Sequence, residues 1–209
     1  MKIPEHPIFL KSVEYIRSQI DCSGLNKVQQ SILERIVHSS GDLTLKPLLT
    51  FSPGACEVAI DALNKGAMIL TDTYMAHAAI SSVAQKTLNS NVKCILDMAP
   101  KSINDISETK SAMAMRATWL DVEEKQESLK APIVVIGSAP TALMMLLDLI
   151  EQGSRKPSLI IGMPVGFIGV PESKKRLLKS YCSNIVLEGT RGGASIAAAT
   201  INALLRAAE

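Results

Sequence analysis

Five short apolar runs recur along the chain: AMILT (67–71), VKCIL (92–96), PIVVIG (132–137), SLIIG (158–162) and NIVL (184–187). A strand with one wet face alternates apolar and polar residues, whereas these runs are unbroken. That pattern belongs to strands covered on both faces. Helical patterns separate the runs, notably TALMMLLDLIEQG and GASIAAATINALLRAA. Strand–helix alternation specifies a mostly parallel sheet between helical layers. The first third is instead helical, around residues 7–20, 26–38 and 54–65. The expectation is an α/β, three-layer fold with about five strands, helices on both faces and a helical N-terminal third. With 209 residues, 47% of them hydrophobic, and no repeat or linker in view, one core and one domain over 1–209 are expected.

Charge excludes some partners. The formal net charge is +2, and no extended basic run is present, which argues against nucleic acid or a membrane surface held by bulk electrostatics. No window approaches the roughly 20 uncharged apolar residues of a membrane span. The start, MKIPEHPIFLKSVEYIR, lacks a basic segment followed by an apolar signal core. Cys22, Cys56, Cys94 and Cys182 lie far apart with no C-x-x-C pair. They read as reduced thiols of a cytoplasmic protein, without support for a zinc site.

The segment PIVVIGSAPTALMMLLDLIEQG is consistent at every step. A buried strand meets Gly137, Ser138 is placed to cap the next helix, Pro140 suits its first turn, and Gly153 stops it. Ligands of open parallel sheets lie beyond the carboxyl ends of strands, so this turn faces the expected site. A dinucleotide site would need G-x-G-x-x-G here, which GSAPTA lacks.

Four stretches offer chemistry. RIVHSSGD (35–42) closes an apolar stripe of Val28, Ile32, Leu33, Ile36 and Val37 with a histidine. At 100° per residue His38 falls off that stripe, nearer Ser31 and Glu34. Imidazole is the side chain that ordinarily titrates near neutrality, and a helix carboxyl end favours its cationic form, so His38 is either a general acid or a surface cap. In EGTRGGASIAAAT, Arg191 and then Gly192 and Gly193 open a helix. Backbone N–H groups and the guanidinium there make either an anion site or a tight turn with a solvated arginine. SETKSAM places Thr109, Lys110 and Ser111 at a helix start, and GMPVGFIGVP makes a stiff loop after a strand, either a turn or a pocket wall. His6 and His77 are weaker candidates.

Together these segments resemble the precorrin-8X methylmutase family, including its cobalt-precorrin-8 branch. SVEYIRSQI is similar to the family's serine-bearing first helix, with Ser12 at the serine position. RIVHSSGDLTLKPLLTFSPGACEVAIDALNKGAMILTD resembles its most diagnostic stretch, ending in Asp72. TKSAM, IGSAPTAL, GMPVGF, ESK and RGGAS then follow in family order. The resemblance implies a homodimeric, cytoplasmic isomerase of corrin-ring biosynthesis. Such an enzyme moves a methyl group between adjacent ring carbons of a polycarboxylate tetrapyrrole, giving hydrogenobyrinate or cobyrinate. It places His38 at the catalytic position. Ser12, Thr109, Lys110, Ser111, Arg191, Gly192 and Gly193 become the substrate contacts. An isomerisation has no net redox change, so no cofactor and no protein-bound metal is expected; any cobalt belongs to the substrate. A non-catalytic tetrapyrrole carrier is the alternative. Three positions depart from the family pattern: Lys110 replaces an arginine, Ser138 an asparagine, and Tyr74 an acidic or small polar residue.

Overall fold

The computed structural model describes residues 5–101, 107–124 and 130–209. In chain order the elements are α1 (Pro7–Gln19), α2 (Lys27–Ser40), β1 (Leu49–Phe51), α3 (Ala55–Asn64), β2 (Ile69–Thr71), α4 (Tyr74–Lys86) and β3 (Val92–Cys94). They continue with α5 (Lys110–Glu124), β4 (Ile133–Ile136), α6 (Pro140–Glu151), β5 (Leu159–Gly162), α7 (Val170–Lys179), β6 (Asn184–Leu187) and α8 (Ala194–Ala208). The strands form one sheet in the order β1-β6-β5-β4-β2-β3. All neighbours are parallel except β1, which pairs antiparallel with β6.

The sheet therefore has six strands, where the apolar runs indicate five. The addition, β1, is three residues long, lies at an edge and is only half-buried, so LTF leaves no apolar run to read. The other five fall on the expected segments.

Their unbroken apolar character has the predicted cause. Ile133, Val135, Leu159, Ile161, Ile185 and Leu187 pack on one face with α1 to α4 and α8. Val134, Ile136, Ile160 and Val186 pack on the other, under α5, α6 and α7. Residues of opposite parity thus feed two cores, one on each side of the sheet.

Chain order reverses between β2 and β4, because β2 pairs with both β3 and β4. At such a switch the connections leave in opposite directions, opening a crevice at the carboxyl edge. Asp72, directly after β2, bridges it. Its Oδ2 accepts the N–H groups of Gly137, Ser138 and Ala139 at 3.0, 2.6 and 2.8 Å. Burial pushes the Asp72 carboxyl up, while these three donors pull it down. Ser138 does not cap α6. The N-cap is Ala139 with no side-chain bond, and Asp72, distant in sequence, binds the turn that leads into the helix. Pro140 occupies the first turn as expected.

Candidate active site

α2 begins with a capping box, Asn26 accepting from Val28 and Gln29 while Gln29 returns a bond to Asn26. It ends at Gly41, whose φ of 68° only glycine adopts freely. His38 therefore lies in the last turn, exposed, with Ile36 and Val37 buried beneath it. Glu34, which shares the polar side with His38 in the helical projection, is instead buried. α1 covers it, and Arg17 and Gln30 bind its oxygens at 2.6 and 2.7 Å. Helix periodicity alone does not show where a second helix lies.

α1 also supplies the setting of His38. Ser12 Oγ lies 2.8 Å from His38 Nδ1. Phe9 meets the imidazole edge to face, with centroids 5.0 Å apart and planes at 82°. Arg35 stacks on the same phenyl ring, 4.6 Å from its centroid, and is held by Glu5. One ring nitrogen is thus committed to Ser12, and the other, Nε2, has no hydrogen-bond partner among the described residues. Ser12, Tyr15, Ile16, Val37, His38, Gly41 and Leu43 line an open cleft of about 290 Å³. Its walls are mostly apolar, and the imidazole is its titratable group besides the Tyr15 phenol.

Four residues beyond His38, Asp42 meets Arg191. Its Oδ2 is 3.0 Å from the guanidinium, which also binds the Thr44 hydroxyl. Bonds from the Thr44 hydroxyl and amide, and then the Arg191 charge, hold the Asp42 carboxyl below the usual range. Arg191 is therefore paired rather than solvated, with half its side chain exposed and nitrogens besides the paired one to spare. The next residues pack tightly. A Cβ at Gly192 would lie 2.1 Å from the Met163 carbonyl oxygen, and one at Gly137 would lie 2.7 Å from Ala194 Cα. The Gly193 N–H, a predicted ligand donor, is taken by the Met163 carbonyl at 2.9 Å. The Gly192 N–H has no hydrogen-bond partner among the described residues.

Thr109 caps α5, accepting the Ala112 N–H at 3.2 Å, and bonds Thr141 of α6 at 2.6 Å. Lys110 is exposed and Ser111 half-buried in the first turn of α5. These residues join the carboxyl edge through α6. The chain of contacts runs from Thr109 to Thr141 across the Gly137–Ala194 junction to Gly192, Arg191 and Asp42. No contact joins Thr109 or Lys110 directly to His38 among the described residues. The loop between β5 and α7 leaves Val165, Phe167 and Ile168 50%, 81% and 91% exposed. Gly166 N–H binds the Thr190 carbonyl at 3.0 Å, fixing that apolar lip beside Arg191. Tyr74 donates to Asp97 at 2.9 Å.

His6 caps α1 through Ile8 N–H, and His77 binds the Val92 carbonyl and Ser81. Neither reaches the cleft lined by His38. Among the described residues no group of histidine, cysteine, aspartate or glutamate side chains is arranged to hold a metal ion. No helix among them is long and apolar enough to cross a membrane.

Residues 7–207 match the family model for precorrin-8X methylmutase. The chain belongs to that family. It is 35% identical over 215 residues to the cobalt-precorrin-8 methylmutase of Synechocystis sp., covering 96% of this chain and 95% of the relative. It is also 35% identical over 201 residues to the precorrin-8X methylmutase of Pseudomonas aeruginosa, covering 94% and 93%. The crystal structure of precorrin-8X methylmutase from Thermus thermophilus superposes with a TM-score of 0.83 at 30% identity, over 97% of this chain and 98% of that one. Family members are isomerases that move a methyl group within one molecule.

Lys174 is the feature of this region that residue spacing does not reveal. It sits in a charged, helical stretch, ESKKR, with no apolar pattern marking it as buried. Yet it is 1% exposed, and its Nζ donates to the Gly189 and Arg191 carbonyls at 2.9 and 2.6 Å. Burial pushes its ammonium down to about 8.

Proposed function

We propose that this chain is a cytoplasmic methylmutase acting on precorrin-8 or its cobalt complex, with His38 as the proton donor. The observation that supports it most is the disposition of the imidazole: Nδ1 held by Ser12 and the ring exposed in a mostly apolar cleft. In the imidazolium, Nδ1–H is bonded to the Ser12 oxygen and Nε2–H is free. Proton transfer from Nε2 to a ring nitrogen leaves the macrocycle electron-poor, and the methyl then migrates to the neighbouring carbon with its bonding electrons. Return of the proton to Nε2 restores the enzyme, so atoms and charge balance without oxidant, reductant or protein-bound metal.

The site has the character the substrate demands: an apolar ring rimmed by carboxylates. Apolar contact comes from Tyr15, Leu43 and the Val165–Ile168 lip. Ser12, Thr109, Lys110, Ser111, Arg191, Gly192 and Gly193 are proposed to form the polar surround, Gly193 as close-packed backbone rather than as an N–H donor. A cleft of about 290 Å³ lies at the small end of the roughly 300–1,000 Å³ of ligand sites, too small to enclose a tetrapyrrole. A homodimer in which the second copy completes the wall is therefore proposed, each chain being one unit over 1–209.

The test is spectral. Wild-type protein mixed with the methylated precursor should change the visible spectrum, because moving a methyl to another ring carbon alters conjugation. His38→Ala should retain product affinity within about twofold and lose turnover by about 10²–10⁴-fold. Binding without conversion by the wild type would overturn the reading in favour of a carrier.

A further inference from the structure

We propose that Lys174 is a positioning residue of the substrate site, setting which way the peptides on either side of Arg191 face. The inference rests on the methylmutase reading only for the identity of the ligand; the geometry stands apart from it.

Lys174 reaches from α7 beneath the loop that follows β6. Both carbonyls it binds, Gly189 and Arg191, belong to that loop. In a planar trans peptide the N–H points opposite to the C=O. Turning the Gly189 and Arg191 carbonyls inward therefore turns the Thr190 and Gly192 N–H groups outward. Neither N–H has a hydrogen-bond partner among the described residues, and Gly189, Thr190 and Arg191 are all exposed. The intervening carbonyl, that of Thr190, is fixed separately by Gly166 N–H at 3.0 Å. Three consecutive peptides are thus each held by a hydrogen bond, on both sides of the Arg191 side chain. The loop is closely packed beyond this point, where a Cβ added at Gly192 would fall 2.1 and 2.7 Å from the Met163 and Pro164 carbonyl oxygens.

A lysine serves this purpose where a neutral side chain would not. Its ammonium offers three donors in a compact head and accepts nothing, so two carbonyls converge on one point. Without it both carbonyls would lose their partner in a part-buried setting, and the peptides would gain by turning them toward water. The outward N–H groups would then be lost to a carboxylate, and Arg191 would be displaced from the Asp42 oxygen.

The probe is cobyrinic acid, a corrin carrying rim carboxylates. In ¹⁵N-labelled wild-type protein the Thr190 and Gly192 amide signals should shift as cobyrinic acid saturates the site. Lys174→Met should raise the cobyrinic acid Kd and the substrate KM by about tenfold each while kcat stays within about twofold. Lys174→Arg should restore most of the affinity. Saturation that leaves both amides unmoved would overturn the proposal, as would wild-type affinity in Lys174→Met or a loss confined to kcat. If Lys174→Met does not fold, the wild-type titration decides alone. Conversion of precursor with unmoved amides sinks this inference and spares the methylmutase; moved amides without conversion do the reverse. Failure of cobyrinic acid to bind overturns both.

Discussion

His38 and Ser12 come from different helices, and the 2.8 Å hydrogen bond between them decides which imidazole nitrogen faces the cleft. Removing the hydroxyl frees the ring to turn and to adopt the wrong tautomer, without removing the proposed acid. Ser12→Ala is therefore expected to lower kcat by about fivefold, the value of one hydrogen bond of about 1 kcal/mol, measured under saturating substrate. Lys174 carries a second consequence, for stability. Its folded ammonium titrates near 8, against about 10.4 in an unfolded chain. Between those values the unfolded state holds the extra proton, so this group's contribution to stability rises with pH. Cys56 acts oppositely, because burial pushes its thiol up to about 12 and stability falls as the unfolded thiol ionises. From pH 8 to 9 both groups act, and comparison with Lys174→Met over this interval cancels the thiol, which the two proteins share. Across it, denaturant unfolding should show the wild type gaining about 1 kcal/mol relative to Lys174→Met. A parallel pH dependence for the two proteins would contradict this.

Elements at the carboxyl edge meet through backbone rather than through large side chains. Asp72 joins the end of β2 to the turn before α6 by three N–H bonds. Asp72→Ala leaves those donors buried without an acceptor, and the expected loss is about 3 kcal/mol or more, read as a fall in the urea midpoint. The α8 start touches the same turn at Gly137. Gly137→Ala would set a methyl 2.7 Å from Ala194 Cα, and neither neighbour is a flexible side chain that can yield. A loss of about 1–3 kcal/mol is expected, with weaker cobyrinic acid binding because α8 carries Gly192 and Arg191 at its entrance. Unchanged stability would show that the two elements separate freely. Element type was legible here wherever period or an unbroken apolar run marks it. The missing strand, β1, shows the limit: three half-buried residues at a sheet edge have no pattern of their own and are a strand only because β6 lies alongside. The helix cap fails as a local inference too: Asp72 holds the turn at Gly137, Ser138 and Ala139 from across the switch point, and α6 has its N-cap one residue later, at Ala139.

For the whole molecule, both sheet faces are covered by helices, and the cleft lies open between α1 and the end of α2. Apolar side chains remain exposed on the surface, Ile8 and Tyr15 on α1 at 70% and 60%, Phe167 and Ile168 on the lip at 81% and 91%. Sedimentation velocity is expected to give twice the 22.4 kDa chain mass. A monomer at concentrations where cobyrinic acid binds would refute the proposed second wall.

The five buried strands in order, the double burial of the sheet, the exposure of His38 and the candidate residues at strand and helix ends were all present in the linear chain, because periodicity and end signals act over a few residues. Tertiary structure alone decided which of those residues meet. Ser12 reaches His38 across 26 positions and Asp72 reaches Gly137 across 65, while Lys174 turns inward from a stretch that reads as solvated. Such contacts depend on how helices cross and where loops converge, which packing determines and local pattern does not encode.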